Sequence, residues 1–334
     1  MYTYSYNMAN TCDVCDIEFK ETSHYIYHMK QHKKKVSDSH DKEELENTRI
    51  TNTRNEVIEG DCIEILRLIP DQSAQIIIAD PPYNIGKDFG NKTRKGGSGG
   101  DGKILSTNEY LNWCEKWMKE CLRTLRPNGT MFIYGFSEIL AHIQVRIQTI
   151  DPTLNVRWLI WHYTNKTVPS LKFWQRSHES ILCIWKRGHK YPYFNLDDVR
   201  EEYTNGFIKG AAGKKRTATQ GRFSKGTKET TYTAHPKGAL PRDVIKSPAL
   251  AGGAGRKEGV DHPTQKPIAV CKKLIMSARN KSLKDDELCI IPFAGSGSEC
   301  VACAELGVPF VGMELNPEYV ALCESRINDV HTSE

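Results

Sequence analysis

Long apolar segments are absent from this sequence, since no run approaches the roughly 18 residues that cross a membrane. The first ten residues, MYTYSYNMAN, have neither a basic start nor an apolar stretch, so we expect no secretory signal. The 11 cysteines are odd in number, which argues against a complete disulfide framework. We therefore expect an intracellular protein without a membrane contact, in the cytoplasm of a prokaryote or a virus-infected cell, or in a nucleus.

A strong overall charge is also missing, because 46 basic residues face 41 acidic ones and the formal net charge is +5. The basic residues are unevenly placed. Residues 209–229 contain seven of them against one acid, and Lys33–Lys35 forms a second basic run. Basic patches on a nearly neutral chain favour a polyanionic partner, whereas a solvated loop is the alternative interpretation of either run.

The 334 residues divide by composition into three parts. Residues 1–35 are rich in Cys, His, Tyr and Lys, and residues 36–54 form a polar linker without an apolar period. Residues 55–334 alternate between strand and helix patterns, and the Ile-rich run 74–80 is typical of a buried parallel strand. This alternation predicts an α/β fold with a doubly wound, Rossmann-like parallel sheet, interrupted by a polar, Gly-rich region at about 187–262.

The N-terminal part contains four candidate metal ligands in the pattern C-x2-C-x12-H-x3-H: Cys12, Cys15, His28 and His32. This spacing suits one tetrahedral structural zinc, with two thiolates on a hairpin and two imidazoles on one helical turn. With Phe19 at a core position, the segment resembles a two-cysteine two-histidine zinc finger. Such a unit folds only with its metal, and one finger reads about three base pairs, so binding of DNA and docking of a protein both stay open.

The first chemical motif follows the Ile-rich strand directly and consists of Asp80, Pro81, Pro82 and Tyr83. In open α/β sheets the carboxyl ends of the strands face the ligand crevice, so this tetrapeptide is predicted to lie in the active site. The prolines present carbonyls that no ladder hydrogen bond uses, Asp80 adds a carboxylate acceptor, and Tyr83 adds an aromatic face. Such a set suits the exocyclic amino group of a planar base. A simple turn after the strand is the alternative.

The second motif, PFAGSGS at 292–298, lies between a predicted strand and a helix, and Glu314 ends the next strand. Glycines at such a turn, with an acid 19 residues after Gly295, are compatible with a ribose-containing cofactor, either NAD or S-adenosylmethionine. The nearby Cys300-x-x-Cys303 is predicted to be core packing, because no partner ligand stands at metal-binding spacing.

Five segments in their order along the chain resemble the β-class amino-methylating DNA methyltransferases: Gly60-Asp61-Cys62, DPPYNIGKDFGN, HPTQKP (262–267), PFAGSGS (292–298) and VGMELNPEY (311–319). The resemblance covers about residues 55–327. It implies S-adenosylmethionine as the cofactor, DNA as the partner, and a target base that is flipped out of the duplex and stacked on Tyr83.

The resemblance also implies particular cofactor contacts. The cofactor loop would contribute Phe293, Gly295, Gly297 and Ser298. The remaining contacts would be Glu314 on the ribose, Asp61 and Cys62 near the adenine ring, and Thr264 and Lys266 near the methionine carboxylate. Ile291 departs from the family, which usually has Asp before Pro-Phe, and Asp80 is the nearest acid to replace it in cofactor binding.

In this family, the target-recognition region precedes the HPTQKP segment. The basic residues of that region are therefore predicted to contact phosphates: Lys214, Lys215, Arg216 and Arg222. The Gly-rich, basic segment 91–103 is predicted to close over the flipped base, with a flexible linker as the alternative.

Asp before Pro-Pro-Tyr is commoner in the adenine enzymes of the family and Ser in the cytosine enzymes. We therefore expect methylation of the N6 amino group of adenine in DNA, with cytosine N4 as the closest alternative. Three further hypotheses stay open: methylation of RNA or protein amines, an NAD-dependent oxidoreductase, and a non-catalytic zinc-finger DNA-binding protein with a degenerate methyltransferase domain. Ile291 motivates the last of these, and a homodimer is left open.

Overall fold

The computed structural model describes residues 54–84, 105–165, 171–188, 192–283 and 286–332. Within the range 192–283, short gaps fall at 211, 218–219, 221–225, 227–228, 232, 252 and 254–257. Two short N-terminal strands are described as well, β1 (Asn10–Thr11) and β2 (Glu18–Phe19). The four predicted zinc ligands, Arg222 and the segment 91–103 lie outside the described residues. Strands β1 and β2 pair antiparallel.

Eight strands form one mixed sheet. From edge to edge they are β10 (Val244–Ser247), β6 (Asn155–Tyr163), β7 (His178–Trp185), β5 (Leu125–Gly135), β4 (Ala74–Ala79), β11 (Cys289–Ile291), β12 (Phe310–Glu314) and β3 (Glu56–Glu59). A separate antiparallel ribbon consists of β8 (Lys215–Thr217) and β9 (Glu229–Thr231). The predicted strand at 74–80 and the predicted strands on either side of the cofactor loop are confirmed.

The prediction of an entirely parallel sheet is wrong at β7, which runs antiparallel to both β5 and β6. The connection from β6 to β7, residues 164–177, holds no helix among its described residues, and a parallel pair needs a long crossover. The edge strand β10 lies inside the region predicted to be irregular. Its four residues alternate between exposed and buried, too short a run to stand out in a polar, Gly-rich region.

Helices cover both faces of the sheet: α1 (Cys62–Leu66), α2 (Thr107–Thr124), α3 (Ser137–Ile150), α4 (Asn205–Gly210), α5 (Ile268–Ala278), α6 (Ser298–Glu305) and α7 (Pro317–Thr332). Helices α1–α3 pack on one face and α5–α7 on the other. Strand β4 contributes to both layers, since Ile77 faces the first and Ile76 and Ile78 the second. This arrangement explains why the strand is a continuous apolar run in the sequence.

The cysteines of the described residues are all free and buried. Cys300 and Cys303, both on α6, are fully buried in the apolar layer between the sheet and helices α5–α7, which confirms the prediction of core packing. Within the part of the chain that the structure describes, no group of His, Cys, Asp and Glu side chains could hold a metal ion. No helix in those same ranges is long and apolar enough to cross a membrane.

Helix α6 is bracketed by two glycines in the left-handed conformation, Gly297 (φ 79°) before it and Gly307 (φ 59°) after it. A Cβ atom at Gly297 would lie 2.8 Å from the sulfur of Cys323, whereas a Cβ at Gly307 would meet nothing within 4 Å. The first position therefore requires glycine for two reasons, and the second only for its backbone conformation.

We predict that Gly307→Ala lowers the free energy of unfolding by about 1–2 kcal/mol, the cost of the left-handed conformation. Gly297→Ala should lose about 1–3 kcal/mol more, because Cys323 and its helix must also shift. Urea denaturation of both variants measures the difference. Equal losses would show that the contact with Cys323 has no energetic weight.

Candidate active site

Four strand ends lie side by side along one edge of the sheet, in the order β4, β11, β12, β3. The segments that follow them are Asp80–Tyr83, Pro292–Ser298, Leu315–Asn316 and Gly60–Asp61. Parallel strands point their carboxyl ends in one direction, so motifs far apart in sequence meet at a single crevice. The sheet thus brings together the predicted catalytic tetrapeptide and the predicted cofactor loop.

Glu314 holds the cofactor loop in place. Its Oε2 accepts a hydrogen bond from the backbone N–H of Gly295 at 2.8 Å, and its Oε1 accepts one from Asn316, also at 2.8 Å. Burial raises the pKa of this carboxyl, while the two backbone donors oppose the rise. Each oxygen retains acceptor capacity, so the carboxylate can also bind hydroxyl groups in the crevice.

The HPTQKP segment packs directly on this loop. Gly295 has a φ of 51°, and a Cβ atom there would lie 3.2 Å from Nε2 of His262. Burial lowers the pKa of His262 to about 4, with the nearby Lys266 as a second cause, so the ring is neutral at pH 7. The backbone N–H of Thr264 donates to Nδ1 of the same ring at 3.4 Å. Gly295 and His262 therefore join the cofactor loop to the segment that contains Thr264.

The predicted contacts to an adenine ring divide into exposed and buried side chains. Asp61 is exposed and caps helix α1, accepting from the N–H of Ile63 at 2.8 Å. Cys62 is buried in the core, and this burial raises the pKa of its thiol. Phe293 is half-buried, and its ring centroid lies 5.3 Å from that of Trp117. Asp61 and Phe293 thus keep exposed surface close to these strand ends, whereas Cys62 contributes mainly to packing.

The predicted catalytic tetrapeptide is held by polar contacts of its own. Oδ2 of Asp80 lies 2.6 Å from Nζ of Lys266, and Oδ1 accepts a hydrogen bond from the hydroxyl of Tyr83 at 2.7 Å. The carbonyl of Pro82 accepts from the hydroxyl of Tyr110 at 2.7 Å. Lys266 is only 3% exposed, so any contact with a cofactor carboxylate would share an ammonium that Asp80 already binds.

Glu179 completes this cluster and belongs to none of the predicted motifs. It stands at the start of β7, and its carboxylate lies 2.7 Å from the hydroxyl of Tyr163, 3.0 Å from that of Tyr83 and 3.5 Å from Nζ of Lys266. Burial acts to lower the pKa of Lys266, but Asp80 and Glu179 outweigh it and raise that pKa. Burial raises the pKa of Asp80, against the effect of Lys266.

A further buried acid, Glu299, lies in the first turn of α6. Burial, and secondarily the charge of Asp80, raise its pKa to about 7. The thiol of Cys271 lies 3.5 Å from its carboxylate. Ile291, the residue that departs from the family pattern, is fully buried in the core. Three acids therefore act on the buried ammonium of Lys266, namely Asp80, Glu179 and Glu299, and the sequence motifs predict only the first of them.

Tyr83 is buried in the site, and its neighbour Asn84 is bonded to the residue where the next described segment begins. The ring of Tyr83 is 8% exposed and packs edge-on against Phe136, with centroids 5.0 Å apart. Stacking of a base on Tyr83 therefore requires the site to open. Asn84 donates to the carbonyl of Leu105 and accepts from its N–H, both at 2.8 Å. These two bonds hold Asn84 and Leu105 together, the described residues that flank the segment containing residues 91–103.

Three of the four predicted phosphate contacts lie in strand β8 or directly before it. Lys214 and Lys215 are exposed there, and Arg216 follows Lys215 in the same strand. The side chain of Arg216 lies outside the described residues, as does Arg222. The contact of these residues with DNA stays a prediction.

Comparison with known proteins connects this site to a family. The profile of the N6/N4 methyltransferase family, described as DNA methylase, matches residues 74–325, which is more than half of the chain. The chain belongs to this DNA methylase family. It is therefore a DNA methyltransferase of the N6/N4 class, and the predicted resemblance is confirmed to that extent. The hypothesis of an NAD-dependent oxidoreductase is rejected.

Among curated relatives, the DNA adenine methyltransferase YhdJ of Escherichia coli (strain K12) is 29% identical over 85% of this chain and 86% of its own length. The type II methyltransferase M.HpaI of Haemophilus parainfluenzae is 27% identical over 80% of this chain and 73% of its own. Among solved structures, the cytosine-N4-specific PvuII DNA methyltransferase superposes with a TM-score of 0.55 at 15% identity, covering 84% of this chain and 93% of that one. This likeness shows the methyltransferase fold with its mixed sheet.

We predict that Glu299 makes stability fall as the pH rises. The pKa of this acid is about 7 in the folded state and 4.5 in the unfolded state, so the folded protein binds the proton more tightly. As the pH rises above 4.5, the unfolded state ionises first and gains stability relative to the folded state, and this loss of folding stability is complete above pH 7. Between pH 5 and pH 8, the free energy of unfolding of the wild type should therefore decrease by about 2–3 kcal/mol more than that of Glu299→Gln.

Urea denaturation at the two pH values measures this difference. Glu305→Gln is the matched control, because Glu305 lies at the other end of the same helix in a partly exposed pair with Lys272. This control should change the pH dependence by less than about 0.5 kcal/mol. Parallel pH profiles of the wild type and Glu299→Gln would contradict the prediction.

Proposed function

We propose that the protein transfers a methyl group from S-adenosylmethionine to the N6 amino group of adenine in DNA, after flipping that base out of the duplex. The observation that carries this proposal is the position of Asp80. Its carboxylate stands at the end of β4, fixed by Lys266, beside the cofactor loop that follows β11. A hydrogen-bond acceptor for an amine and a loop for a methyl donor thus share one crevice.

The residues of the crevice fit S-adenosylmethionine. Glu314 has acceptor capacity for ribose hydroxyls, and the exposed carboxylate of Asp61 stands at the neighbouring strand end. Gly295 and Gly297 are proposed as backbone contacts: both have the left-handed conformation that shapes this loop, and His262 and Cys323 occupy the space that a Cβ atom would need. When bound, this cofactor supplies an electrophilic methyl group. Ser298, at the start of α6, and Thr264 are proposed as further contacts.

Asp80 can still accept the hydrogens of an amine although Tyr83 and Lys266 already bind it. A carboxylate has about four acceptor positions, and these two partners use two of them. Its raised pKa makes it a stronger hydrogen-bond acceptor. The carbonyl of Pro81, to which no described residue donates, is the second acceptor.

Acceptance of the amine hydrogens by Asp80 and Pro81 favours a pyramidal nitrogen, whose lone pair is less delocalised into the ring and therefore more nucleophilic. Lys266 and Tyr83 fix the orientation of Asp80 before the base arrives, and alignment with the methyl group does much of the rest. No cysteine nucleophile is needed, since the methylated atom is nitrogen.

Adenine is favoured over cytosine by the aspartate at position 80 and by the relative YhdJ, which is named a DNA adenine methyltransferase. Cytosine N4 is the second candidate, because the PvuII enzyme, named cytosine-N4-specific, shares the fold. A non-catalytic, degenerate domain is not favoured. Ile291 is a core residue, and the polar cluster around Asp80 is complete without an acid at that position.

A zinc finger at residues 1–35 is proposed as a separate module. The antiparallel pair of Asn10–Thr11 with Glu18–Phe19 joins the chain on either side of the Cys12–Cys15 spacing, as the hairpin of a finger would. Two thiolates and two imidazoles are a donor set that suits zinc. We propose that this module, with Lys33–Lys35, raises the local concentration of DNA without shaping the active site.

The function is tested by incubating the protein with methyl-labelled S-adenosylmethionine and unmethylated DNA, then identifying the labelled nucleoside and mapping its sequence context. We expect N6-methyladenine. Asp80→Asn should slow methyl transfer by about 10²–10³-fold, since one preorganised acceptor is lost, while leaving most of the cofactor affinity intact.

Asp71→Asn is the matched control, because Asp71 precedes the amino end of β4, whereas Asp80 follows its carboxyl end. It should methylate at the wild-type rate. Label in N4-methylcytosine would favour the second candidate, and wild-type turnover in Asp80→Asn would refute the role of Asp80.

For the zinc module, we expect one zinc per full-length chain and its loss in the double variant Cys12→Ser/Cys15→Ser, since two of four ligands are removed. Cys183→Ser, which changes a buried thiol of β7, should keep the metal. Metal analysis measures the content. The double variant should keep its turnover on saturating short DNA but bind DNA more weakly. Lost turnover at saturation would instead make the module part of the catalytic domain.

A further inference from the structure

A short segment before β7 exposes large apolar side chains to water. Leu171, Phe173 and Trp174 are 95%, 79% and 87% exposed, and these are the three most exposed large apolar side chains of the residues that the structure describes. The sequence of residues 171–176, LKFWQR, contains two cations and no acid. Exposed aromatic residues interleaved with cations have no packing role in the folded chain, which indicates a partner.

This segment lies beside the catalytic tetrapeptide. Because β7 is antiparallel to its neighbours, its first residue stands at the edge where the parallel strands end. The guanidinium of Arg176 lies 4.0 Å over the ring of Phe136, and Phe136 packs against Tyr83. Arg176 also forms a 2.7 Å ion pair with Glu138, so the base of the segment is anchored next to the site.

The chemistry of the segment fits DNA better than it fits a protein. Flat aromatic side chains stack on bases, and the exposed cation of Lys172 complements a phosphate backbone. Removing one base from a duplex leaves a gap whose neighbours have lost their stacking partner. Proteins that open base steps insert apolar side chains into them.

We propose that Trp174 enters the duplex as a wedge and fills the gap that the flipped base leaves, with Phe173 packed beside it and Lys172 on the adjacent phosphate. This inference rests on the proposed function, because it presupposes that the target base leaves the stack. Trp174 then fills the gap and stacks on the partner base that the flipped base leaves behind. Opposite an abasic site there is neither a pair to open nor a partner base to support, so Trp174 contributes less to binding there.

The test compares two duplexes that contain the mapped recognition sequence, one with the target base paired and one with that base opposite an abasic site. Binding of the full-length protein is measured by fluorescence anisotropy, and methyl transfer by single-turnover kinetics. We expect Trp174→Ala to weaken binding to the paired duplex at least tenfold and binding to the open duplex no more than threefold. Trp174→Phe should recover most of the loss, since an aromatic ring is retained.

Val145→Ala is the matched control: Val145 is 67% exposed, and its helix α3 runs away from the catalytic edge. It should bind both duplexes like the wild type. The wedge is overturned if the affinity of Trp174→Ala for the paired duplex stays within twofold of the wild-type affinity, or if the variant loses affinity by the same factor on both duplexes. Equal wild-type affinity for the two duplexes would refute base flipping, and with it the wedge, while methylation of another base would refute only adenine specificity.

Discussion

The buried ion pair between Lys266 and Asp80 is the contact on which the arrangement of the site depends. It joins residues 186 positions apart, one in the HPTQKP segment and one at the end of β4. An ammonium that is 3% exposed is stable only while its carboxylates surround it, and removing one partner of such a pair typically costs about 3–5 kcal/mol. The segment beside the cofactor loop therefore stays in contact with the catalytic tetrapeptide.

The charges around this pair are unequal, since Asp80, Glu179 and Glu299 all influence the single ammonium of Lys266. Burial raises the pKa values of Asp80 and Glu299, so both carboxyl groups lose their protons less readily than they would in water. Such a cluster reduces stability at neutral pH. It also fixes the position of a carboxylate whose pKa is raised, which is the property that the proposed role of Asp80 uses.

The direction of strand β7 determines what lies beside Asp80–Tyr83. A parallel β7 would begin at the opposite edge of the sheet, far from the ends of β4 and β11. Its antiparallel direction instead places Glu179 against Tyr83 and positions the exposed segment 171–176 beside Phe136. The strand thus contacts Asp80–Tyr83 through Glu179, and the segment that precedes it exposes aromatic side chains nearby.

Local patterns in the sequence predicted the strand at 74–79, the strands on either side of the PFAGSGS loop and the acid at the end of β12, because each depends on periodicity or on neighbouring turn residues. The positions of Asp80 and of the PFAGSGS loop at neighbouring strand ends could be predicted too, because each motif directly follows a strand pattern, whereas their roles stay predictions. The direction of β7, the edge strand β10, Glu179 and the pairing of Lys266 could not. They depend on contacts between separate elements of the chain, with Glu179 and Tyr83 96 positions apart and Lys266 and Asp80 186 positions apart. Only the folded sheet, by choosing strand order and direction, decides which buried charges meet.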